Sequence, residues 1–402
     1  MSLARLLAGS RIVVCVGSGG VGKTTIAASL ALAGALDGRR SMVLTIDPAR
    51  RLAQSLGLTD LRNGGEEIAQ RELERAGLAT RASLSAGMLD QTSAWDEFIA
   101  RHSPTSEVRE TILANPFYQN LSRSFAGSTE YMAIEELCRI EETGRYDLIV
   151  LDTPPSRHAL DFLEAPRKLE DFFDRSVLGW LARPAAAGWM AWKTASRGAR
   201  FVFERIEEAT GVQALTEIGS FFVAIESLVD GVTARSRRVR ELLGAPTTSF
   251  VLVTGPDEQV LEDAEGLVAR MEELGVRLRG VVMNRMQAAD GLDEPAGIKV
   301  MAGQDEAASQ GSDRGRDREA RLTRLRHSLV GEGLEPALVA WMISTLETFV
   351  VQAFAQAVRR EAFEAGLPEN VSVVAVPEQR HDIHDLGGLA AIARELSKEP
   401  GA

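Results

Sequence analysis

Lysine, threonine and two aspartates are the side chains of this sequence whose types and spacing could support phosphate chemistry. Residues 17–24 have the pattern Gly-x-x-x-x-Gly-Lys-Thr, which ends in Lys23 and Thr24. In this pattern backbone N–H groups surround a polyphosphate, the lysine reaches its β- and γ-phosphates, and the hydroxyl ligates Mg²⁺. Asp47 and Asp152 each follow an apolar run, and such carboxylates can hold the same ion through water. The predicted chemistry is therefore binding and hydrolysis of a nucleoside triphosphate with Mg²⁺.

The loop pattern needs a strand before it and a helix after it. Residues 12–16 are a short β-branched run typical of a buried strand, and helix-forming residues follow from Ile26 onwards. A helix that begins here brings the positive end of its dipole to the phosphates. A glycine-rich turn without function would not require Lys-Thr at this offset. We therefore interpret the following residues as the cofactor-binding loop: Gly17, Ser18, Gly19, Gly20, Val21, Gly22, Lys23, Thr24 and Thr25.

Two more apolar runs lead directly to the aspartates. Residues 41–46 are predicted to form a strand that ends before Asp47, and residues 146–151 one that ends before Asp152. Ligands of open α/β sheets bind at the carboxyl ends of the strands, so both carboxylates are candidate metal ligands together with Thr24. Asp47 is followed by Pro48, which is also a helix-start signal; the two interpretations are compatible. A hydrophobic run closed by Asp152 is the Walker B pattern.

The other periodicities predict the fold class. In the second half of the chain, two apolar runs flank a helical stretch, and a strand–helix–strand order is the unit of a parallel sheet. We therefore predict an α/β fold of the P-loop NTPase type, a mostly parallel twisted sheet flanked by helices, with a helical subdomain inserted between strands. Further strands are expected at residues 84–89, 249–254, 278–283 and 371–376, and helices at 258–274, 320–365 and 389–396.

The predicted organisation is a single P-loop ATPase domain over residues 1–402. Residues 92–145 and 156–245 carry almost no strand signal and are expected to supply the helical subdomain. Residues 60–81 are polar and predict a loop with a helical piece. Residues 303–319 have no apolar anchors and are expected to form a mobile loop.

Three of the five tryptophans, Trp180, Trp189 and Trp192, lie close together within the second helical stretch. Broken apolar helices rich in Met and Trp can form an adaptable hydrophobic binding surface over residues 177–192. The same residues could instead cover one another as ordinary core. The sequence leaves both interpretations open.

Composition excludes several classes of protein. The net charge of −12 disfavours a general nucleic-acid binder, because phosphates would be repelled. The sequence contains no run of 18 uninterrupted apolar residues, so no transmembrane helix is predicted. No secretory signal is recognised either, and we therefore expect a cytoplasmic protein. The only cysteines, Cys15 and Cys138, form no Cys-x-x-Cys pair. Neither zinc nor an iron–sulfur cluster is expected, and both cysteines are interpreted as small buried hydrophobes.

Together these motifs resemble those of the arsenite-pump and tail-anchored-protein-targeting ATPases, P-loop proteins with a deviant Walker A loop. Thr-Ile-Asp-Pro-Ala around Asp47 is similar to their switch I, and Asp-Thr-Pro-Pro-Ser-Arg-His from Asp152 to His158 is similar to their switch II. Asn284 lies where the family places its adenine-contacting asparagine, and Pro377 falls near the last loop on the nucleotide side. The resemblance implies ATP as the nucleotide, Mg²⁺ held by Thr24, Asp47 and Asp152, and a dimer.

The sequence departs from the family pattern at several positions. Ser18 stands where the family has a lysine that reaches across a dimer to the partner's phosphates. Gln54 stands where the family has a water-activating aspartate; glutamine can orient water but cannot act as a base. The cysteines of the family's zinc-bridged dimer and of its metalloid site are missing, so neither ligand site transfers to this chain.

The implied chemistry is attack of water on the γ-phosphate, with Lys23, Asp47 and Gln54 as catalytic candidates. His158 could relay the resulting motion or could be a packing residue. Three outputs are open: a switch that binds hydrophobic protein segments or a membrane partner through residues 177–192, the energising subunit of an anion or metalloid exporter, and a slow regulatory subunit. The protein would then be a homodimer, or a heterodimer with a paralogue.

Overall fold

The computed structural model describes residues 3–46, 51–58, 65–89, 91–119, 128–154, 164–165, 220–287 and 322–398. Several predictions concern residues outside these ranges. They are the placements of Asp47 and His158, the tryptophan cluster of residues 177–192 and the loop at 303–319.

Eight strands form one sheet in the order β3-β4-β2-β5-β1-β6-β7-β8, and every pair is parallel except the short β3 against β4. This mostly parallel sheet, flanked by helices, confirms the predicted α/β fold of the P-loop NTPase type. The strands are β1 Ile12–Val16, β2 Ser41–Thr45, β3 Glu66–Glu67, β4 Leu84–Met88, β5 Leu148–Asp152, β6 Thr248–Thr254, β7 Leu278–Met286 and β8 Ser372–Pro377.

Helices connect the strands and cover both faces of the sheet. Those with assigned bounds are α1 Leu3–Gly9, α2 Lys23–Leu36, α3 Arg51–Ser55, α4 Gln70–Arg75, α5 Gln91–His102, α6 Ser106–Leu113, α7 Ser128–Glu142, α8 Val229–Gly244, α9 Glu258–Glu273, α10 Pro336–Ala365 and α11 Leu386–Ser397. The predicted one-domain organisation and its helical subdomain remain predictions.

The central strands are mostly apolar, as expected for strands buried on both faces. In β1 the side chains alternate: Ile12, Val14 and Val16 belong to one core layer, and Val13 and Cys15 belong to the other. The first layer contains helices α5, α7, α8 and α9, and the second contains α1, α2 and α11. Both β1 and α2 are buried in this packing, and the loop between them is the predicted nucleotide site.

Both cysteines are buried, as predicted. Burial raises the pKa of the Cys15 thiol far above its usual range and that of Cys138 to about 12. Neither thiol is therefore ionised near neutral pH, and both act as small apolar side chains.

Several elements differ from the sequence expectations. Helix α1, which the sequence did not predict, buries Leu3, Leu6 and Leu7 against the sheet. The two-residue strand β3 lies within the stretch expected to be a loop with a helical piece. Strand β7 continues beyond residue 283 to Met286, which places Asn284 and Arg285 inside the strand.

Helix α10 is the one helix among the described residues that is long and apolar enough to cross a membrane. The rule of 18 uninterrupted apolar residues missed it, because Ser344, Thr345 and Glu347 interrupt the run. Its carboxyl-terminal half contributes the buried Ala353 and Phe363, and Phe363 belongs to the core layer of α9. Much of its amino-terminal half is exposed.

We predict that His102 makes folding stability depend on pH. Burial, with Arg235 and Arg101 nearby, lowers the pKa of His102 to about 4, whereas an unfolded histidine titrates near ~6.5. The unfolded state therefore binds more protons between these values, and stability falls as the pH drops from about 6.5 towards 4. The His102→Gln variant should show a smaller loss of melting temperature between pH 7 and pH 5.

The matched control is His384→Gln, because the His384 side chain is largely exposed. It should keep the pH dependence of the wild type. An unchanged slope in the His102 variant would contradict the prediction.

Candidate nucleotide site

The loop between β1 and α2 has a backbone that glycine alone adopts without strain. Gly17, Gly20 and Gly22 all have positive φ angles, of 150°, 78° and 90°. A Cβ atom at Gly17 would lie 2.0 Å from the carbonyl oxygen of Val253, and one at Gly22 would lie 2.4 Å from Nδ2 of Asn284. The chain therefore approaches its neighbours too closely for a side chain at either position. This geometry leaves backbone N–H groups available for a polyphosphate.

Lys23 is the first residue of α2, and its side chain folds back over the loop. Its Nζ atom donates a hydrogen bond to the carbonyl oxygen of Ser18 at 2.7 Å. The residue is only 6% exposed, and a charge in such surroundings acts more strongly than one in water. The ammonium group and the N-terminus of α2 thus face the same loop, as a phosphate site requires.

A buried carboxylate joins the loop to two strands. One oxygen of Asp152 accepts hydrogen bonds from the hydroxyls of Thr24, at 2.7 Å, and Thr45, at 2.8 Å. Thr45 and Asp152 are register partners at the ends of the parallel strands β2 and β5, and α2 carries Thr24. Hydroxyl and carboxylate oxygens are the ligands that Mg²⁺ prefers. Thr24 and Asp152 therefore fit the predicted metal site; Asp47 lies outside the described residues.

A cavity of about 620 Å³ opens in front of the loop, within the size range of ligand sites. Its phosphate end carries Lys23 and Thr24, with Gln54 of α3 nearby. Residues from the carboxyl ends of β7 and β8 complete it: Asn284, Arg285, Glu378, Gln379, His381, Asp382, Ile383 and His384. The cavity thus brings Gln54 and Asn284 together with the loop. Pro377 itself does not line it, but the next residue does.

Asn284 is buried, and its Nδ2 donates to the carbonyl oxygen of Val21 at 2.9 Å. The side chain is therefore fixed on the phosphate loop from a strand more than 260 residues away in sequence. Its predicted contact with adenine remains a prediction.

Sequence reasoning missed several residues at this site. The sequence indicated Thr45 only as part of the Thr-Ile-Asp-Pro-Ala motif, although its position at the end of β2 could have indicated its contact with Asp152. Thr153 donates to the carbonyl oxygen of Cys15 at 2.7 Å and ties β5 to β1. Of the segment at the end of β8 only Pro377 was named, and the residues after it could have been found from the rule that ligands bind at carboxyl ends of strands. Arg285 had no local signal.

A glycine loop between a parallel strand and a helix, beside a buried aspartate on the adjacent strand, defines a P-loop nucleotide-binding protein. The family model described as anion-transporting ATPase matches residues 10–299. The chain therefore belongs to the anion-transporting ATPase family, and it is an ATPase. This confirms the resemblance that the motifs suggested.

Curated proteins with similar sequences include other ATPases. The chain is 26% identical to ATPase GET3 of Malassezia globosa over 275 residues, 68% of this chain and 72% of that protein. It is 25% identical to ATPase ASNA1 homolog 2 of Paramecium tetraurelia over 276 residues, 68% of this chain and 75% of that one. It is also 31% identical to a putative arsenical pump-driving ATPase of Halobacterium salinarum, over 44% of this chain and 27% of that protein.

We predict that Thr24 and Thr45 differ in function, although both donate a similar hydrogen bond to Asp152. Thr24→Val and Thr45→Val each remove one donor and should lower the free energy of unfolding by about 1–3 kcal/mol. Thr24→Val alone should also abolish the dependence of nucleotide binding on Mg²⁺, because the Thr24 hydroxyl is the proposed metal ligand. Thermal unfolding and titration of ATP with and without Mg²⁺ measure the two effects.

Thr45→Val is the matched control in this pair. Equal loss of Mg²⁺ dependence in both variants would contradict the assignment of Thr24 as the ligand.

Proposed function

We propose that this protein is a dimeric switch driven by Mg²⁺-dependent ATP hydrolysis, and that its nucleotide state controls the binding of hydrophobic protein segments. The observation that carries the proposal is the hydrogen-bonded junction of Thr24, Asp152 and Thr45. It couples the phosphate loop to the last residues of β2 and β5, from which the switch-like motifs continue. A change at the γ-phosphate would therefore act directly on both motifs.

Each residue of the site has a defined part in hydrolysis. Lys23 and the N–H groups of the loop would hold the triphosphate and stabilise the charge that develops on it. Thr24, Asp152 and Asp47 would hold Mg²⁺, which when bound neutralises charge on the phosphate oxygens. Gln54 lines the same cavity and would orient the attacking water through its amide.

The amino-terminal half of α10 presents an unusual apolar surface. The α10 face consists of Leu338, Trp341, Met342, Leu346 and Phe349, whose spacing of three and four residues places them along one side of the helix. Trp341 is 65% exposed. Contiguous exposed apolar side chains mark interaction sites, and a helix face of this kind matches an amphipathic helical segment. This surface supports a hydrophobic protein partner, in addition to the proposal for residues 177–192.

The middle of α10, just beyond the α10 face along the helix, lies close to the phosphate loop. A second cavity, of about 740 Å³, is lined by Gly19 and Gly20 of the loop and by Val351 and Gln356 of α10. Movement of the loop on nucleotide exchange could therefore reach α10 without passing through the core. We propose a cytoplasmic protein that acts at a membrane only through its partner.

A slow regulatory subunit is the alternative, supported by Ser18 and Gln54. Ser18 offers its carbonyl oxygen to Lys23 and brings no positive charge for a second site. A paralogue that retains the loop lysine would then complete a heterodimer. A metalloid exporter has less support, because the two cysteines are buried and their thiols stay protonated.

We predict that Lys23→Ala lowers Mg²⁺-dependent ATP hydrolysis at least about 100-fold, the effect of losing one donor that stabilises transition-state charge. Phosphate release by the purified protein measures it. Lys398→Ala is the control, because Lys398 pairs with Glu395 at the end of α11, away from the loop. A wild type that binds ATP without turnover would favour the regulatory subunit instead.

We predict that Trp341→Asp abolishes capture of a fluorescent apolar helical peptide and leaves ATP affinity unchanged. A buried charge in the contact would cost more than the contact contributes. Val223→Asp is the matched control, because Val223 is 48% exposed and lies outside the α10 face. Peptide capture that survives Trp341→Asp would contradict the role of this face.

A further inference from the structure

Arg285 has a backbone conformation that an arginine rarely adopts. Its φ angle of 60° lies in the left-handed region, and among the described residues it is the only non-glycine residue with a positive φ. The Cβ atom makes this conformation unfavourable for all residues except glycine and, to a lesser degree, asparagine and aspartate. Strain of this kind persists where the surrounding structure imposes it, and such positions cluster at functional sites.

A β-bulge imposes the conformation. Met283 pairs with Ala375 and Met286 pairs with Pro377, so three steps along β7 match two along β8. Because β7 has one additional residue here, the neighbouring side chains of Asn284 and Arg285 lie in different surroundings. Asn284 is buried and donates to Val21 of the phosphate loop, whereas Arg285 is exposed and lines the nucleotide cavity. The bulge thus fixes one side chain on the loop and directs the next into the cavity.

The Arg285 side chain has no hydrogen bond or ion pair with the residues that the structure describes. It borders both the 620 Å³ nucleotide cavity and the 740 Å³ cavity next to α10. Packing within the described chain therefore does not explain why a strained arginine occupies this position. A ligand in the cavity would explain it.

The sheet order indicates which part of a nucleotide Arg285 would meet. Asp152 ends β5 and marks the metal end of the site, and Arg285 lies near the end of β7, three strand spacings away. At about 4.8 Å for each spacing this distance is roughly 14 Å, comparable to an extended nucleotide. Phosphates held at Lys23 would therefore leave the base near Arg285.

We propose that the guanidinium group of Arg285 stacks on the purine base of the bound nucleotide. The inference rests on the proposed binding of ATP and adds a base contact that the sequence motifs do not contain. Arginine is suited to this contact because its planar, weakly hydrated cation packs on aromatic faces. Such a contact contributes affinity through the base and is the same for ATP and ADP.

The test compares Arg285→Gly and Arg285→Asn with the wild type by calorimetric titration of ATP and of ADP. Both substitutions remove the cation and tolerate the left-handed backbone, so both variants should melt at or above the wild-type temperature. The affinities for ATP and ADP should fall by the same factor, about tenfold for a cation–π contact shielded from water. Arg279→Asn, on the same strand but outside the nucleotide cavity, should bind both nucleotides as the wild type does.

Unchanged affinity in both Arg285 variants would overturn the inference and leave the proposed function intact. A loss clearly larger for ATP than for ADP would also overturn it, because the contact would then be with the phosphates. A wild type that binds neither nucleotide would instead refute the proposed function itself.

Discussion

The carboxylate of Asp152 is the group on which the arrangement of the site depends. A buried carboxylate without partners would destabilise the fold by several kcal/mol, on the order of the desolvation of a charge. Thr24 and Thr45 supply hydrogen bonds to it from α2 and β2. These hydrogen bonds hold the phosphate loop, the start of α2 and the ends of β2 and β5 in one geometry. A metal ion or phosphate at this place must act on all of these elements together.

The parallel sheet extends this geometry to the rest of the molecule. All strands of the sheet except β3 run in one direction, so their carboxyl ends meet at a single edge. At this edge the loop, Gln54, Asn284 and the segment after β8 surround one cavity. A second cavity joins the same loop to α10. The loop thus lies beside the helix that carries the exposed apolar face, which is an arrangement suited to a nucleotide-dependent switch.

Local patterns predicted the long elements well. Most of the strands that are buried on both faces appear as short apolar runs, and the residues after the loop have a strong helical propensity. The same reasoning missed β3, because two glutamates carry no apolar pattern. It also ended β7 too early, since the polar Asn284 and Arg285 at the bulge end the apolar run. The sequence did not predict that Trp341 is exposed, because a large apolar side chain is usually buried.

The sequence alone determined the phosphate loop, the two aspartate motifs, the family and the departures at Ser18 and Gln54, because these depend on residue types at short spacing. The tertiary structure decided which side chains meet across the fold. The contacts of Asp152 with Thr24 and Thr45, and of Asn284 with Val21, join residues more than a hundred positions apart. They depend on strand order and register, which local spacing does not encode, and so does the bulge that directs Arg285 into the nucleotide cavity.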